Sequence, residues 1–233
     1  MAGKRTGALV LLEPGDPPLF PDPNRFDAQG LLAVGGDLSP LRLLAAYRAG
    51  IFPWYNEDTP ILWWSPDPRA VITAQSLHVS RSLQRELRRK DLSISWDRAF
   101  AEVLEGCAAN RPGGTWLLPE MQEAYTTLHR LGHAHSIEVW HEGHLVAGLY
   151  GVLCGAVFAA ESMFHTRTNA SKVALVRAVR DLAACGVELM EVQFLTPHLQ
   201  SLGAVELSRA EYLSRLAELR DRQVTLDLPA ASC

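Results

Sequence analysis

The feature that most constrains the fold is a sixteen-residue run, 145–160, that carries no charged side chain and is interrupted by Gly148, Gly151 and Gly155 before it reaches Glu161. A helix that crosses a bilayer needs about 20 consecutive apolar residues, and three glycines would weaken it further. The run therefore predicts two buried strands joined by a turn at Cys154-Gly155. With residues 135–140 before it and a turn at Glu142-Gly143, it completes a meander of strands 135–140, 145–152 and 156–164. So apolar a sheet has to be covered. The following residues supply the cover: an amphipathic helix at 171–185 stopped by Gly186, a strand at 187–194, and a short helix at 197–202. The capping box Ser208-Arg209-Ala210-Glu211 then opens a last helix at 209–220.

Upstream, Ser80 and Asp97 are placed to cap helices at 81–90 and 98–109, and Pro119 opens a third that Gly132 closes. The first third is dense in proline (Pro14, Pro17, Pro18, Pro21, Pro23), which predicts an irregular lead-in. Ser39-Pro40 then starts a short helix that Gly50 stops. Trp54, Trp63 and Trp64 crowd into eleven residues, as a packed joint between lobes or as one wall of an apolar pocket. The pattern predicts an α+β chain with a small, irregular N-terminal domain at 1–66 and a second, mixed-sheet domain at 67–233.

Three antiparallel strands, a helix, a strand and a helix is the order of an acetyltransferase-like (GNAT) domain. Acetyl-CoA users usually cradle the pyrophosphate with a Q/R-x-x-G-x-G/A turn, where backbone amides meet the anion at a helix start. That turn is incomplete here, since Gln200-x-x-Gly203 continues into Val205 and Arg111-x-x-Gly114 into Trp116. Coenzyme A is therefore not the expected donor.

The four cysteines lie far apart, so neither a zinc site nor a dithiol redox pair is indicated. Reduced thiols, and an apolar stretch at 8–12 too short for a signal-peptide core, predict a cytoplasmic location without membrane attachment. A net charge of −4 excludes a protein basic all over, but not a local patch. Arg81, Arg85, Arg88, Arg89 and Lys90 face only Glu86 within the 81–90 helix. Such an excess is either a solvated face or a grip on a sugar-phosphate backbone.

The strand at 187–194 sets Glu191 and Gln193 on one face, about 6 to 7 Å apart, with Met190, Val192 and Phe194 on the other. A carboxylate beside an amide on a covered strand belongs at a cleft, unless that face is simply wet. Glu161 breaks an apolar strand, and a buried carboxylate without a partner is costly. His133 and His135, in the turn from helix to strand, read as structural.

The segments GLLAVGGDLSPLRLLAAYRAGIFPWY, ILWWSPDPRAV, GTWLLPEMQEAYTTLHRLGHAHSIEVW, LVAGLYG, ESMFHTRTNASKVAL and EVQFLTPHLQSLGAVELSR occur in this order over residues 30–220. In these segments the chain resembles the leucyl/phenylalanyl-tRNA-protein transferases. The resemblance implies a small N-terminal domain joined to an acetyltransferase-like domain. It also implies transfer of Leu, Phe or, less readily, Met from aminoacyl-tRNA to the N-terminal Arg or Lys of a protein, marking it for degradation. The ester on the tRNA is already activated, so no metal, ATP, coenzyme A or other cofactor is expected.

Carried onto this sequence, the resemblance makes Gln193 the catalytic glutamine. Glu191, where the family usually has aspartate, would orient that amide. Trp54 and Trp116 fall at pocket positions, to stack on the adenine or flank the donor side chain. Leu149, Phe158 and Met163 are candidates to line that side chain, an adaptable methionine suiting several shapes, although each also fits an ordinary core. Glu161 would hold the donor's α-amino group or the acceptor's cationic terminus, or else pair with Lys172 or Arg167. The Arg81, Arg85, Arg88, Arg89 and Lys90 patch would meet the tRNA. Two other functions fit the residues less completely: a coenzyme A-dependent N-acetyltransferase, and a non-catalytic RNA-binding module built on that patch.

Overall fold

The computed structural model describes residues 7–109 and 115–228. The Arg111-x-x-Gly114 segment lies outside the described residues. In chain order the elements are β1 (Val10–Leu12), β2 (Leu31–Gly35), α1 (Pro40–Arg48), β3 (Phe52–Pro53), β4 (Leu62–Trp64), β5 (Arg69–Ile72), α2 (Arg81–Leu87), β6 (Leu92–Trp96) and α3 (Phe100–Ala108). They continue as α4 (Pro119–Arg130), β7 (Ala134–His141), β8 (His144–Cys154), β9 (Val157–His165), α5 (Ala170–Ala184), β10 (Leu189–Gln193), α6 (Pro197–Ser201), β11 (Val205–Leu207) and α7 (Arg209–Leu219). Among the described residues no helix is long and apolar enough to cross a membrane.

The uncharged run forms β8 and the start of β9, turning at Gly155, whose φ of +57° suits glycine. Gly151 has a second reason: a Cβ there would lie 2.2 Å from the Ala159 carbonyl oxygen. The larger sheet has seven strands in the order β11-β5-β10-β9-β8-β7-β6, with β10 parallel to β9 and every other pair antiparallel. Meander, crossover helix α5 and parallel β10 follow the order read from the sequence, in a mixed α+β architecture. One sheet face packs on α3, α4 and α1, with Tyr125, Leu128 and Val103 in its core. The other face packs on α5, with α2 against α5 in turn, around Val176, Leu175 and Phe158.

The N-terminal segment is more regular than its prolines suggest. β1, β2, β4 and β3 form a second, four-stranded sheet. The prolines fall mostly between strands, and Pro53 sits on edge strand β3, where a missing N–H costs no ladder bond. Arg209, buried at the start of α7, fastens this sheet to the rest by donating to the carbonyls of Phe26, Ser65 and Asp27 at 2.6, 2.6 and 3.0 Å. Hydrogen bonds from a charged donor contribute about 1.5–3 kcal/mol each.

Three local expectations need correction. The helix expected at 81–90 stops at Leu87, because the chain must turn to bring β6 antiparallel onto β7. Asp97 does not cap α3; with a φ of +55° it accepts the Ser136 N–H at 2.8 Å and meets His135 Nδ1 at 2.7 Å, closing the β6–β7 pair. His135 is thereby structural, as expected. The strand expected at 187–194 begins at Leu189 and loses its alternation before Gln193.

Candidate functional site

β9 and β10 pair in register from Leu189↔Val157 to Glu191↔Ala159. Beyond that point both strands are irregular. In β10 the register with β5 jumps from Glu191↔Val71 to Gln193↔Ala70, leaving Val192 as the extra residue. In β9 the register with β8 jumps from Gly151↔Ala160 to Tyr150↔Ser162, leaving Glu161 as the extra residue. Bulges re-aim side chains and end pairing. Two of them side by side open a cavity of about 250 Å³ where the parallel strands part. Glu161, Ser162 and Gln193 supply its polar wall; Phe52, Trp54, Trp116 and Phe194 are its aromatic side.

Gln193 is held in a backbone conformation unusual for a residue with a Cβ, with a φ of +62°. Phe194 N–H donates to Val192 O at 2.8 Å, closing a three-residue γ-turn around it. The Glu191 carboxylate secures the turn by accepting the Gln193 backbone N–H at 2.7 Å. Glu191 and Gln193 are therefore not neighbours on one flat face. The carboxylate acts on the main chain of Gln193, and the amide side chain is left to the cavity. Arg69 completes the clamp: it donates to Glu191 Oε1 at 2.9 Å and to the Gly50 carbonyl. Its guanidinium lies between the rings of Phe52 and Tyr212, 5.0 and 4.8 Å from their centroids. Burial pushes the Glu191 pKa up, against the opposing pull of Arg69 and the Gln193 N–H.

Glu161 is buried, and its partners are neither Lys172 nor Arg167; Arg167 pairs with Asp91 at 3.2 Å. Instead Tyr125 donates to Glu161 Oε2 at 3.0 Å, and the Tyr47 hydroxyl lies 2.7 Å behind Tyr125. Tyr125 has only one proton to give, so the Tyr47 hydroxyl is the donor to Tyr125. Among the described residues Glu161 Oε1 has no hydrogen-bond partner. Burial, then the nearby charge of Glu191, raises the Glu161 pKa from 4.5 to about 8.

The structure thus brings Trp54, Trp116, Glu161 and Gln193 to one cavity, with Glu191 directly behind. It separates Leu149, Phe158 and Met163 from them. Leu149 and Phe158 are buried in the core beneath α5, and Met163 packs against that core. In an unbroken strand Met163 would share a face with Glu161, two residues away; the bulge sends it to the other side. The three tryptophans divide in the same way: Trp63 is fully buried, while Trp54 is 47% exposed at the cavity mouth.

The match to known sequences identifies the family. The sequence profile described as leucyl/phenylalanyl-tRNA protein transferase covers residues 71–217, and the profile of that family's N-terminal domain covers residues 36–67. The chain belongs to the leucyl/phenylalanyl-tRNA protein transferase family. A family member from Anaeromyxobacter sp. (strain Fw109-5) is 57% identical over 206 residues, 87% of this chain and 88% of the relative. Another, from Shewanella woodyi, is 52% identical over 217 residues, 91% and 92% of the two chains. A solved structure described as L-PGS from Bacillus licheniformis aligns with a TM-score of 0.41 at 10% identity, over 72% of this chain and 57% of that one.

In this family member the basic segment is less uniform than its sequence. Arg81 and Arg85 lie on α2, Arg88 caps its end, and Arg89 and Lys90 lie beyond it. All five are exposed. Asp91, one residue past the counted segment, takes up Arg89 at 2.7 Å and also meets Arg167 and His141, both at 3.2 Å. Arg69, Tyr47 and Tyr125 were not singled out from the sequence. An arginine 122 residues from its carboxylate leaves no local signature.

Proposed function

We propose that the chain transfers leucine, phenylalanine and, less readily, methionine from aminoacyl-tRNA to the N-terminal Arg or Lys of cytoplasmic acceptor proteins, marking them for degradation. Family membership supports the reaction. The observation that carries the site is the strained turn at Gln193, locked by Glu191 and Arg69 at the mouth of the β9–β10 cleft. An amide is a poor base, so its oxygen serves as the acceptor that aims the attacking amine and stabilises its developing positive charge. Trp54 and Trp116 offer aromatic faces to the terminal adenine or to an apolar donor side chain. Leu, Phe and Met share bulk but no polar handle, which suits such a wall. Arg81, Arg85 and Arg88 meet the sugar-phosphate backbone of the acceptor stem, with Arg89 and Lys90 at the margin. The activated ester supplies the driving force, so neither coenzyme A nor a metal enters the scheme.

The test is incubation with labelled Phe-tRNA and a peptide beginning with Arg, followed by mass spectrometry for the gain of one Phe residue. Gain of an acetyl group from acetyl-CoA instead, or tRNA binding without transfer, would overturn the proposal. Gln193→Ala is expected to lower turnover about 10²-fold while leaving Phe-tRNA affinity within about twofold. Unchanged turnover would remove Gln193 from the reaction.

A further inference from the structure

The α-amino group of a protein has a pKa of about 8, so much of it arrives as an ammonium ion without a lone pair to attack. A transferase acting on it must provide somewhere for that proton to go. The surroundings of Glu161 answer this need. The residue is the extra one of a bulge, on the same cavity as Gln193. One carboxylate oxygen is engaged by the Tyr47–Tyr125 chain and the other has no partner among the described residues. A buried acceptor without a donor is costly, and such groups in native proteins call for an explanation.

We infer that Glu161 is the proton acceptor of the reaction, its Oε1 taking a proton from the α-ammonium of the incoming protein N-terminus. The inference rests on the transfer reading above and deepens it. Carboxylate and ammonium enter as a charged pair and become acid and amine, the exchange that a buried setting favours. The amine nitrogen then bonds to the ester carbonyl carbon. The bond from that carbon to the ribose oxygen breaks, its electron pair staying with the oxygen, which takes the second proton from the nitrogen. Glu161 returns its proton to solvent as the product leaves. Throughout, Tyr125 keeps its hydrogen bond to Oε2, so the carboxyl does not have to rotate.

Groups on four neighbouring elements set the proton affinity of Glu161. Burial and the carboxylate of Glu191 on β10 raise it, while Tyr47 on α1, Tyr125 on α4 and Arg69 on β5 lower it. Tyr212 on α7 also senses its charge and stays protonated. The balance puts the group near pH 8, matched to the amine it serves.

The experiment is single-turnover transfer from preformed Phe-tRNA to an Arg-peptide across about pH 6 to 9, for the wild type, Glu161→Gln and Tyr125→Phe. Glutamine keeps the volume and the acceptor for Tyr125 but cannot take the proton. Its rate is expected to fall about 10²-fold near pH 8, with Phe-tRNA affinity unchanged and the wild-type pH limb lost. Tyr125→Phe removes a bond that favours the carboxylate, so its limb moves to higher pH. A second donor, phenyllactyl-tRNA, replaces the donor's α-amino group with hydroxyl. The Glu161→Gln deficit persists with this donor if the proton comes from the acceptor. If the deficit disappears, Glu161 serves the donor's amino group and the inference fails. A wild-type rate and pH profile in Glu161→Gln, or an unmoved limb in Tyr125→Phe, overturns it as well. Absence of transfer by the wild type would instead sink the proposed function.

Discussion

Glu138 on β7 and Glu161 on β9 are both buried carboxylates of the large sheet, one strand apart, and burial raises the pKa of each. Their surroundings differ. Glu138 is itself paired in register, opposite Gly148, and both oxygens are engaged. Ser95 and Ser136 hydroxyls donate to them at 2.5 Å each, and the Ala99 N–H at the start of α3 points to Oε1 at 3.5 Å. Glu161 lies on a bulge, beside a cavity, with one oxygen engaged and one without a partner among the described residues. A carboxylate whose lone pairs are consumed by its neighbours ties elements together. One that keeps a spare oxygen on a cavity is available to a substrate.

The largest effect is expected at Glu191, the third buried carboxylate, which Arg69 neutralises. Arg69→Met leaves that charge unpaired and should cost about 3–5 kcal/mol in urea unfolding. The double variant Arg69→Met with Glu191→Gln should recover most of the stability but little of the transfer. Recovery of both would mean that the clamp only holds the fold.

Glu161 should reveal itself in stability as well as in rate. The folded chain holds its proton more tightly than the unfolded chain does, raising the pKa from 4.5 to about 8. The cost of the buried charge is therefore absent in acid, grows as pH rises through that window and is complete above it. Glu161→Gln should melt close to the wild type in acid and above it in alkali. Equal melting temperatures at both ends would show that Glu161 ionises freely.

Glu138→Ala strips the acceptors from two serines and should lower stability by about 2–4 kcal/mol at any pH near neutral. Transfer per folded molecule should stay within about twofold of the wild type. A specific loss of rate would erase the contrast between the two carboxylates. The smallest change belongs to the surface, where neither burial nor strain adds to the effect. Arg85→Ala with Arg88→Ala should weaken tRNA binding and lower the slope of log affinity against log salt by about 1.5. An unchanged slope would move the tRNA elsewhere.

Where residues close in sequence decide the outcome, the chain could be read directly. The uncharged run and its glycines give β8 and β9, Ser39-Pro40 gives the start of α1, and the Ser208–Glu211 box gives the start of α7. The family motifs point to Gln193, Trp54 and Trp116. Leu149 and Phe158 have the character of ordinary core residues, and Met163 could not be sorted from them because a bulge reverses the alternation on which such sorting depends. The N-terminal sheet was hidden because its strands are short and separated by prolines.

By itself, then, the sequence determined the family, the order of elements and the side chains with chemistry to offer. These depend on residue identity and on spacings within a few residues. The tertiary structure decided how those side chains are used. It set Arg69 against Glu191, bent Gln193 out of its strand and placed two tyrosines behind Glu161. Each arrangement joins residues far apart in the chain. Burial, strain and proton affinity come from the neighbours that folding assembles, and no short segment carries them alone.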